Sequence, residues 1–280
     1  MNITDLTTNF AANRQQLTIE GSTLSYLDIG QGPVLLLGHS YLWDSEMWAP
    51  QIAHLSQSFR CIVPDLWGHG CSGFLPSNCR NLRDIATHML ELMDALNIEK
   101  FSVIGLSVGA MWGAELALKA PTRVNHLVML GSFIGYEPEI TRDKYYAMLD
   151  VIKAEQSIST KVIDAITPLF FAKQPQAELV ALFKQKLNHF DGGNIDTLYQ
   201  IGRMIFGRRD TMDDAHLFTL PCLIMTGVED KARSVLEGYL MHDAIDGSQY
   251  VHIPDCGHIS TLEQADFVNQ QLSQFLTAHH

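Results

Sequence analysis

Six short, nearly uninterrupted apolar runs punctuate the sequence, at residues 34–37, 61–63, 101–104, 127–130, 222–225 and 250–253. Runs of this length without polar alternation suit strands buried on both faces, the condition of a parallel sheet sandwiched between helices. The intervening segments supply those helices. Leu82, Ile85, Ala86, Met89, Leu90, Met93 and Leu96 recur at helical spacing and keep one face apolar. Residues 110–120 are helix-prone and stop at Pro121, and residues 262–276 carry a further apolar stripe. Strand–helix alternation with short connections places the chain in the α/β class, with a mostly parallel twisted sheet covered by helices. The first strands differ: residues 16–19 and 23–28 read as a hairpin turning at Glu20-Gly21-Ser22.

The alternation stops between Gly135 and Asp214. These residues read as four helices, with stripes such as Leu179/Leu182/Phe183/Leu187/Phe190 and Ile195/Leu198/Tyr199/Ile205/Phe206. Pro168, Pro175 and Gly192-Gly193 punctuate them. An all-helical block between two buried strands is most simply a cap over the sheet; the alternative is extra helices against its side. The chain accordingly divides into a core of residues 1–134 and 215–280 and a helical cap of residues 135–214.

Gly105-Leu106-Ser107-Val108-Gly109 joins the strand at 101–104 to the helix at 110–120. A serine on so sharp a turn is held in strained geometry with its hydroxyl above the sheet, while the helix N-terminus behind it favours developing negative charge. Ser107 needs a base. His258, in a loop just past the last strand, is placed to reach it; His39 reads as structural and His252 as alternating within a strand. The acid belongs in the loop after residues 222–225, where Glu229 and Asp230 both qualify. Asp230, three residues past Gly227, is preferred as the group that fixes the His258 tautomer and stabilises the imidazolium. The amide of Val108 supplies one oxyanion donor and the amide of Tyr41, in Gly38-His39-Ser40-Tyr41, the other. The Tyr41 side chain either lines the pocket or packs against Trp43.

Composition removes other readings. With 19 basic and 31 acidic side chains the formal charge is −12, which repels phosphate backbones and argues against nucleic acid. No apolar stretch is long enough to span a membrane. Residues 1–14 lack the cationic start and apolar run of a signal peptide, and five scattered cysteines without a CxxC pair suit a reducing compartment, so a cytoplasmic protein is expected. Gly68-His69-Gly70-Cys71-Ser72-Gly73 fits a dinucleotide fingerprint, but Pro76 and Asn78 follow where a helix should open, so that reading is rejected. No H-E-x-x-H or paired Cys/His spacing calls for a metal. No cofactor is expected.

Together these residues resemble the α/β-hydrolase superfamily over nearly the whole chain. The carriers are residues 35–41, Asp65-Leu66-Trp67-Gly68-His69-Gly70-Cys71-Ser72, the Ser107 turn, residues 227–230 and Cys256-Gly257-His258. The resemblance implies that family's fold and triad chemistry, and leaves the substrate open. The usual loop is His-Gly-X, whereas this chain has His39-Ser40-Tyr41. In that departure, in Met47-Trp48-Ala49-Pro50-Gln51, and in His258-Ile259-Ser260 with Leu262-Glu263, it is similar to 3-oxoadipate enol-lactonases.

The expected activity is hydrolysis of a small carboxylic ester through an acyl-enzyme. Lactonase or enol-lactonase action, cofactor-free perhydrolysis, carbon–carbon bond hydrolysis and a non-catalytic ligand receptor are the alternatives. Dehalogenases and epoxide hydrolases need an aspartate where Ser107 stands. Carbon–carbon bond hydrolases hold a substrate carboxylate with a cap arginine, for which Arg142, Arg203, Arg208 and Arg209 are candidates. Trp43, Met111 and Trp112 are the expected pocket residues, with Trp48 and cap aromatics such as Tyr145, Tyr146, Phe170, Phe171 and Phe206 nearby. That neighbourhood points to a mainly hydrophobic pocket and a neutral small-molecule ester or lactone.

Overall fold

The computed structural model describes residues 10–278; most of the segment read for a signal peptide, and the terminal pair His279-His280, lie outside them. Within the described residues one sheet of eight strands runs in the order β1-β2-β4-β3-β5-β6-β7-β8. β1 (Arg14–Ile19) and β2 (Ser22–Ile29) form the expected hairpin, closed by Glu20 and Gly21 alone, both at positive φ. That conformation matches the twist of the paired strands. β2 runs antiparallel to β4 (Arg60–Pro64). From β4 through β3 (Val34–Gly38), β5 (Phe101–Leu106), β6 (Val124–Leu130), β7 (Cys222–Gly227) and β8 (Gln249–Ile253) every pairing is parallel.

Every residue of β5 and β7 is buried, as unbroken apolar runs require. β8 departs from that expectation, with Gln249 and His252 exposed, because it is the sheet's edge and lacks a neighbour on one side. The covering helices are α1 (Ala49–Leu55), α2 (Leu82–Ala95), α3 (Val108–Lys119), α8 (Val235–Ala244) and α9 (Ala265–Ala278). α2 starts at a capping box in which Asn81 and Asp84 satisfy each other's orphan amides. The stripe at 262–276 is broken at Gln264, so a short turn at Ser260–Glu263 precedes α9. Residues 68–81 open no helix, in keeping with rejection of the dinucleotide reading.

Between β6 and β7 lie α4 (Glu139–Glu155), α5 (Thr160–Phe170), α6 (Ala177–Asn188) and α7 (Gly192–Phe206). Pro168 does not separate them as expected but sits inside α5. Its ring removes one helical donor, the preceding Thr167 hydroxyl donates back to the Ile163 carbonyl at 2.6 Å, and the helix ends two residues later. α4 packs on α7 and α5 on α6. The block meets the rest of the chain through polar contacts to the loop after β3 and to α3. The Tyr41 hydroxyl donates to the Leu198 carbonyl at 2.7 Å. Lys186 pairs with Asp44 and Glu46 at 2.6 and 2.8 Å, and Arg209 with Glu115 and Asp214 at 2.6 and 2.5 Å.

Candidate active site

Ser107 sits between β5 and α3 at φ 56° and ψ −118°, a conformation a non-glycine residue adopts only under constraint. The constraint is close packing. A Cβ at Gly109 would lie 2.0 Å from the Gly38 carbonyl oxygen, and one at Gly105 2.2 Å from the Ala110 nitrogen. The Ala110 and Met111 amides donate to the Ser107 carbonyl at 3.0 and 3.1 Å. The Val108 amide therefore stands ahead of the first intrahelical bond, where helix amides have no acceptor of their own.

His258 and Asp230 meet over the same sheet edge, from the loops after β8 and β7. His258 Nδ1 donates to Asp230 Oδ2 at 2.8 Å, with side chains 3% and 0% exposed. The other carboxylate oxygen accepts the amides of Ala232 and Arg233 at 2.8 and 2.9 Å. An ionised carboxylate with three donors is fixed in rotamer, and in turn fixes His258 with its proton on Nδ1 and a lone pair on Nε2. Glu229, the other candidate acid, accepts the Lys173 amide at 2.6 Å instead. Gly131, at φ 46°, closes the space beside the pair, since a Cβ there would lie 3.1 Å from Asp230 Oδ2 and 3.2 Å from His258 Nδ1.

The His258 loop is knitted to the inserted helices. The amides of His258 and Ile259 both donate to the Phe170 carbonyl at 3.2 Å. Glu263 accepts the Gly257 amide at 2.9 Å with one oxygen and the Ala172 amide at 2.8 Å with the other. Burial raises the Glu263 pKa, although both hydrogen bonds favour the ionised form. The sequence drew attention to Glu263 only through the enol-lactonase likeness and assigned it no role.

The loop after β3 is held by two buried histidines. The Leu66 amide donates to His39 Nε2 at 2.7 Å and the Leu42 amide to His69 Nε2 at 3.2 Å. Both rings therefore carry their proton on Nδ1, donated to the carbonyls of Ser40 and Trp67. Burial pushes their pKa values down to about 4 for His39 and about 3 for His69, so both are neutral supports. The structural reading of His39 fits this geometry.

Ser107, His258, Ser40 and Tyr41 share a cavity of about 60 Å³, above the roughly 10–15 Å³ needed to admit a water molecule. Tyr41 lines it, and packs edge-on to Phe206 rather than against Trp43. The inserted helices contribute Tyr145, Met148, Ile166, Phe170 and Phe206. The expected pocket residues Trp43, Met111 and Trp112 are not among the walls. Trp43 stacks on Phe183 with centroids 5.1 Å apart, Trp112 packs beneath Gly38, and Met111 faces the core from α3. Closeness in sequence to the site did not survive the direction in which each side chain leaves its backbone.

Several walls have no counterpart in the sequence reading, and one of them, Arg233, is charged. Its guanidinium contacts Glu137 at 2.7 Å, and Glu137 also holds Arg208 at 3.0 Å, all three side chains at most 7% exposed. Burial and the neighbouring Arg233 push the Arg208 pKa down to about 10. Burial raises Glu137, but the two arginines outweigh that and hold it below the usual carboxylate value. Arg142, Arg203, Arg208 and Arg209 do not line the cavity. Arg142 pairs with its helical neighbours Glu139 and Asp143, and Arg203 lies 3.5 Å over the Tyr146 ring. Among the described residues no group of His, Cys, Asp and Glu is placed to hold a metal, and no helix is long and apolar enough to cross a membrane.

The sequence profile for the alpha/beta hydrolase fold matches residues 33–265. The chain is 25% identical over 266 residues to 3-oxoadipate enol-lactonase 1 of Acinetobacter baylyi, covering 92% of this chain and 94% of that one. It is 26% identical over 255 residues to carboxylesterase YbfK of Bacillus subtilis, covering 87% and 80%. Among solved structures, the enol-lactonase from Burkholderia xenovorans superposes with a TM-score of 0.82 at 26% identity, over 94% of this chain and 100% of that one. A thermophilic esterase from Thermogutta terrifontis does so with a TM-score of 0.86 at 24% identity, over 95% and 99%, a likeness of fold. With its sheet order, its strand–serine–helix turn and a profile match over most of its length, the chain belongs to the α/β-hydrolase family and is a hydrolase of that family.

Proposed function

We propose that the protein hydrolyses small carboxylic esters through a Ser107–His258–Asp230 triad, with the inserted helices of residues 135–214 acting as a cap. The observation that carries this reading is the buried His258–Asp230 pair opening on the cavity that also holds Ser107. His258 Nε2 takes the Ser107 proton as the hydroxyl attacks the ester carbonyl. Asp230 stabilises the resulting imidazolium without taking its proton. The amides of Val108 and Tyr41 receive the oxyanion, each contributing on the order of 10²–10³ in rate. The imidazolium then protonates the departing alcohol, and water attacks the acyl-enzyme by the same route.

A lactone is the second substrate class, supported by the relatives named as enol-lactonases. In that case the alcohol stays tethered and leaves with the acyl group on hydrolysis. The small cavity favours short acyl chains in either class. Steady-state assays on short alkyl esters and small lactones, with Ser107→Ala as the blank, test the reading. Turnover that needs Ser107 supports it. Equal turnover by Ser107→Ala sinks it, as does a wild-type protein that binds these compounds without cleaving them.

A further inference from the structure

Apart from the His258 ring, Arg233 is the one ionisable basic group among the described walls of the Ser107 cavity. It follows Asp230 by three residues and its amide donates to Asp230 Oδ1 at 2.9 Å. The turn that presents the acid thus also aims this guanidinium. Its side-chain hydrogen bonds are two to Glu137 at 2.7 and 3.4 Å and one to Glu237 at 3.4 Å. Three of five N–H donors are used, and two remain.

The acids around it are few. Glu137 is shared with Arg208, whose Nε and one terminal nitrogen are buried without a partner. Glu237, 22% exposed, also accepts the Ser234 amide at 2.6 Å and hydroxyl at 3.1 Å with its carboxylate. Asp230 is committed to His258 and two amides. The buried part of the cluster therefore sets two guanidiniums against one carboxylate. Arg208 does not line the cavity, so a ligand there meets Arg233 alone, and an anion beside it would offset the surplus positive charge of the cluster.

We infer that the substrate carries a free carboxylate beside its ester bond, held by Arg233 while Ser107 attacks the ester carbonyl. This rests on the hydrolase reading above and narrows it to short hemiesters or lactone acids, in place of the neutral esters that the apolar neighbourhood suggested. A chain of net charge −12 repels anions at long range, so selection for one must come from such a local donor.

Two matched pairs test this: monomethyl succinate against methyl butyrate, and acetoxyacetate against propyl acetate. In at least one pair the wild-type kcat/KM should favour the acid by on the order of 10–100-fold, the scale of a charge-assisted hydrogen bond. Arg233→Met should collapse that ratio, and Arg233→Lys should keep part of it. Succinate should inhibit methyl butyrate hydrolysis competitively in the wild type at fixed ionic strength, with butyramide far weaker, a test that needs no variant to fold. Equal turnover within both pairs, a ratio untouched by Arg233→Met, or no inhibition by succinate overturns the inference. Turnover lost in Ser107→Ala but blind to the carboxylate sinks this inference alone, whereas turnover retained in Ser107→Ala sinks the hydrolase reading.

Discussion

The sheet and the four inserted helices build opposite sides of one cavity by different means. β5 and β7 are buried at every residue, whereas in α4 only Leu149 and Ile152 of seventeen residues are buried. The sheet side is held by apolar burial and by backbone turns that admit one conformation. The inserted side is fastened by side-chain ion pairs and hydrogen bonds at its margin. Groups that must be placed to a fraction of an ångström are on the first side, while the second supplies half of the cavity's lining, nearly all of it apolar. The contrast fits a common division, in which rigid elements carry chemistry and less stable ones give access.

The strongest challenge to this division is Asp230→Asn. The geometry should survive, but the amide cannot hold His258 in the Nδ1–H tautomer, and kcat should fall by about 10⁴ with the circular dichroism spectrum unchanged. A loss under tenfold would mean that the sheet-borne pair is not the seat of catalysis. Next is native-state hydrogen exchange: amides of β5 and β7 should exchange about a thousandfold more slowly than those of the exposed turns of α4. Equal protection would erase the distinction between the two sides.

Acid should then act on the sheet side through the loops after β3 and β4. His39 and His69 are neutral in the fold, with pKa values lowered to about 4 and about 3, while unfolded histidine titrates near 6.5. Between those values the unfolded chain binds more protons. Their contribution is therefore complete above about pH 6.5 and is lost as pH falls toward 4 and 3, at up to about 1.4 kcal/mol per pH unit for each ring. The urea midpoint should drop between pH 7 and 4.5, and NMR of the ring nitrogens should find both Nδ1–H tautomers intact at pH 5. Rings that protonate near pH 6.5 would contradict this.

Two smaller effects test the join between the sides. Glu263→Gln can serve only one of the two amides well, and should lower kcat by roughly tenfold while leaving KM near its original value, since His258 is misplaced rather than the walls. A change in thermal stability alone would make Glu263 merely structural. Lys186→Met leaves Asp44 and Glu46 unpaired and should cost about 1 kcal/mol or less in the urea midpoint. Its wild-type counterpart should weaken modestly with added salt, whereas the variant should not.

Legibility from sequence follows the same divide. Ser107, Asp230 and His258 stand out as candidates because each lies at a strand end, where the backbone dictates the direction of the side chain. Spacing from Gly227 favours Asp230 over Glu229, and the turn does face Asp230 toward His258 while Glu229 turns to the Lys173 amide. The walls are legible only in part: the cap aromatics Tyr145, Phe170 and Phe206 do line the cavity, while Trp43 and Trp112 look like pocket residues and are packing. Pro168 resembled a boundary although α5 tolerates it near its end. The Arg208–Glu137–Arg233 cluster left no local trace, because it gathers partners from three distant segments.

The Phe170 carbonyl, accepting two amides from the His258 loop, bears on protein engineering. Exchanging the helices between relatives at the obvious strand boundaries would hand over the anchor of the His258 loop along with them. A chimera built that way should lose rate even where its new pocket fits its new substrate. Keeping residues 170–172 with the parent sheet, and cutting beyond them, should restore that rate.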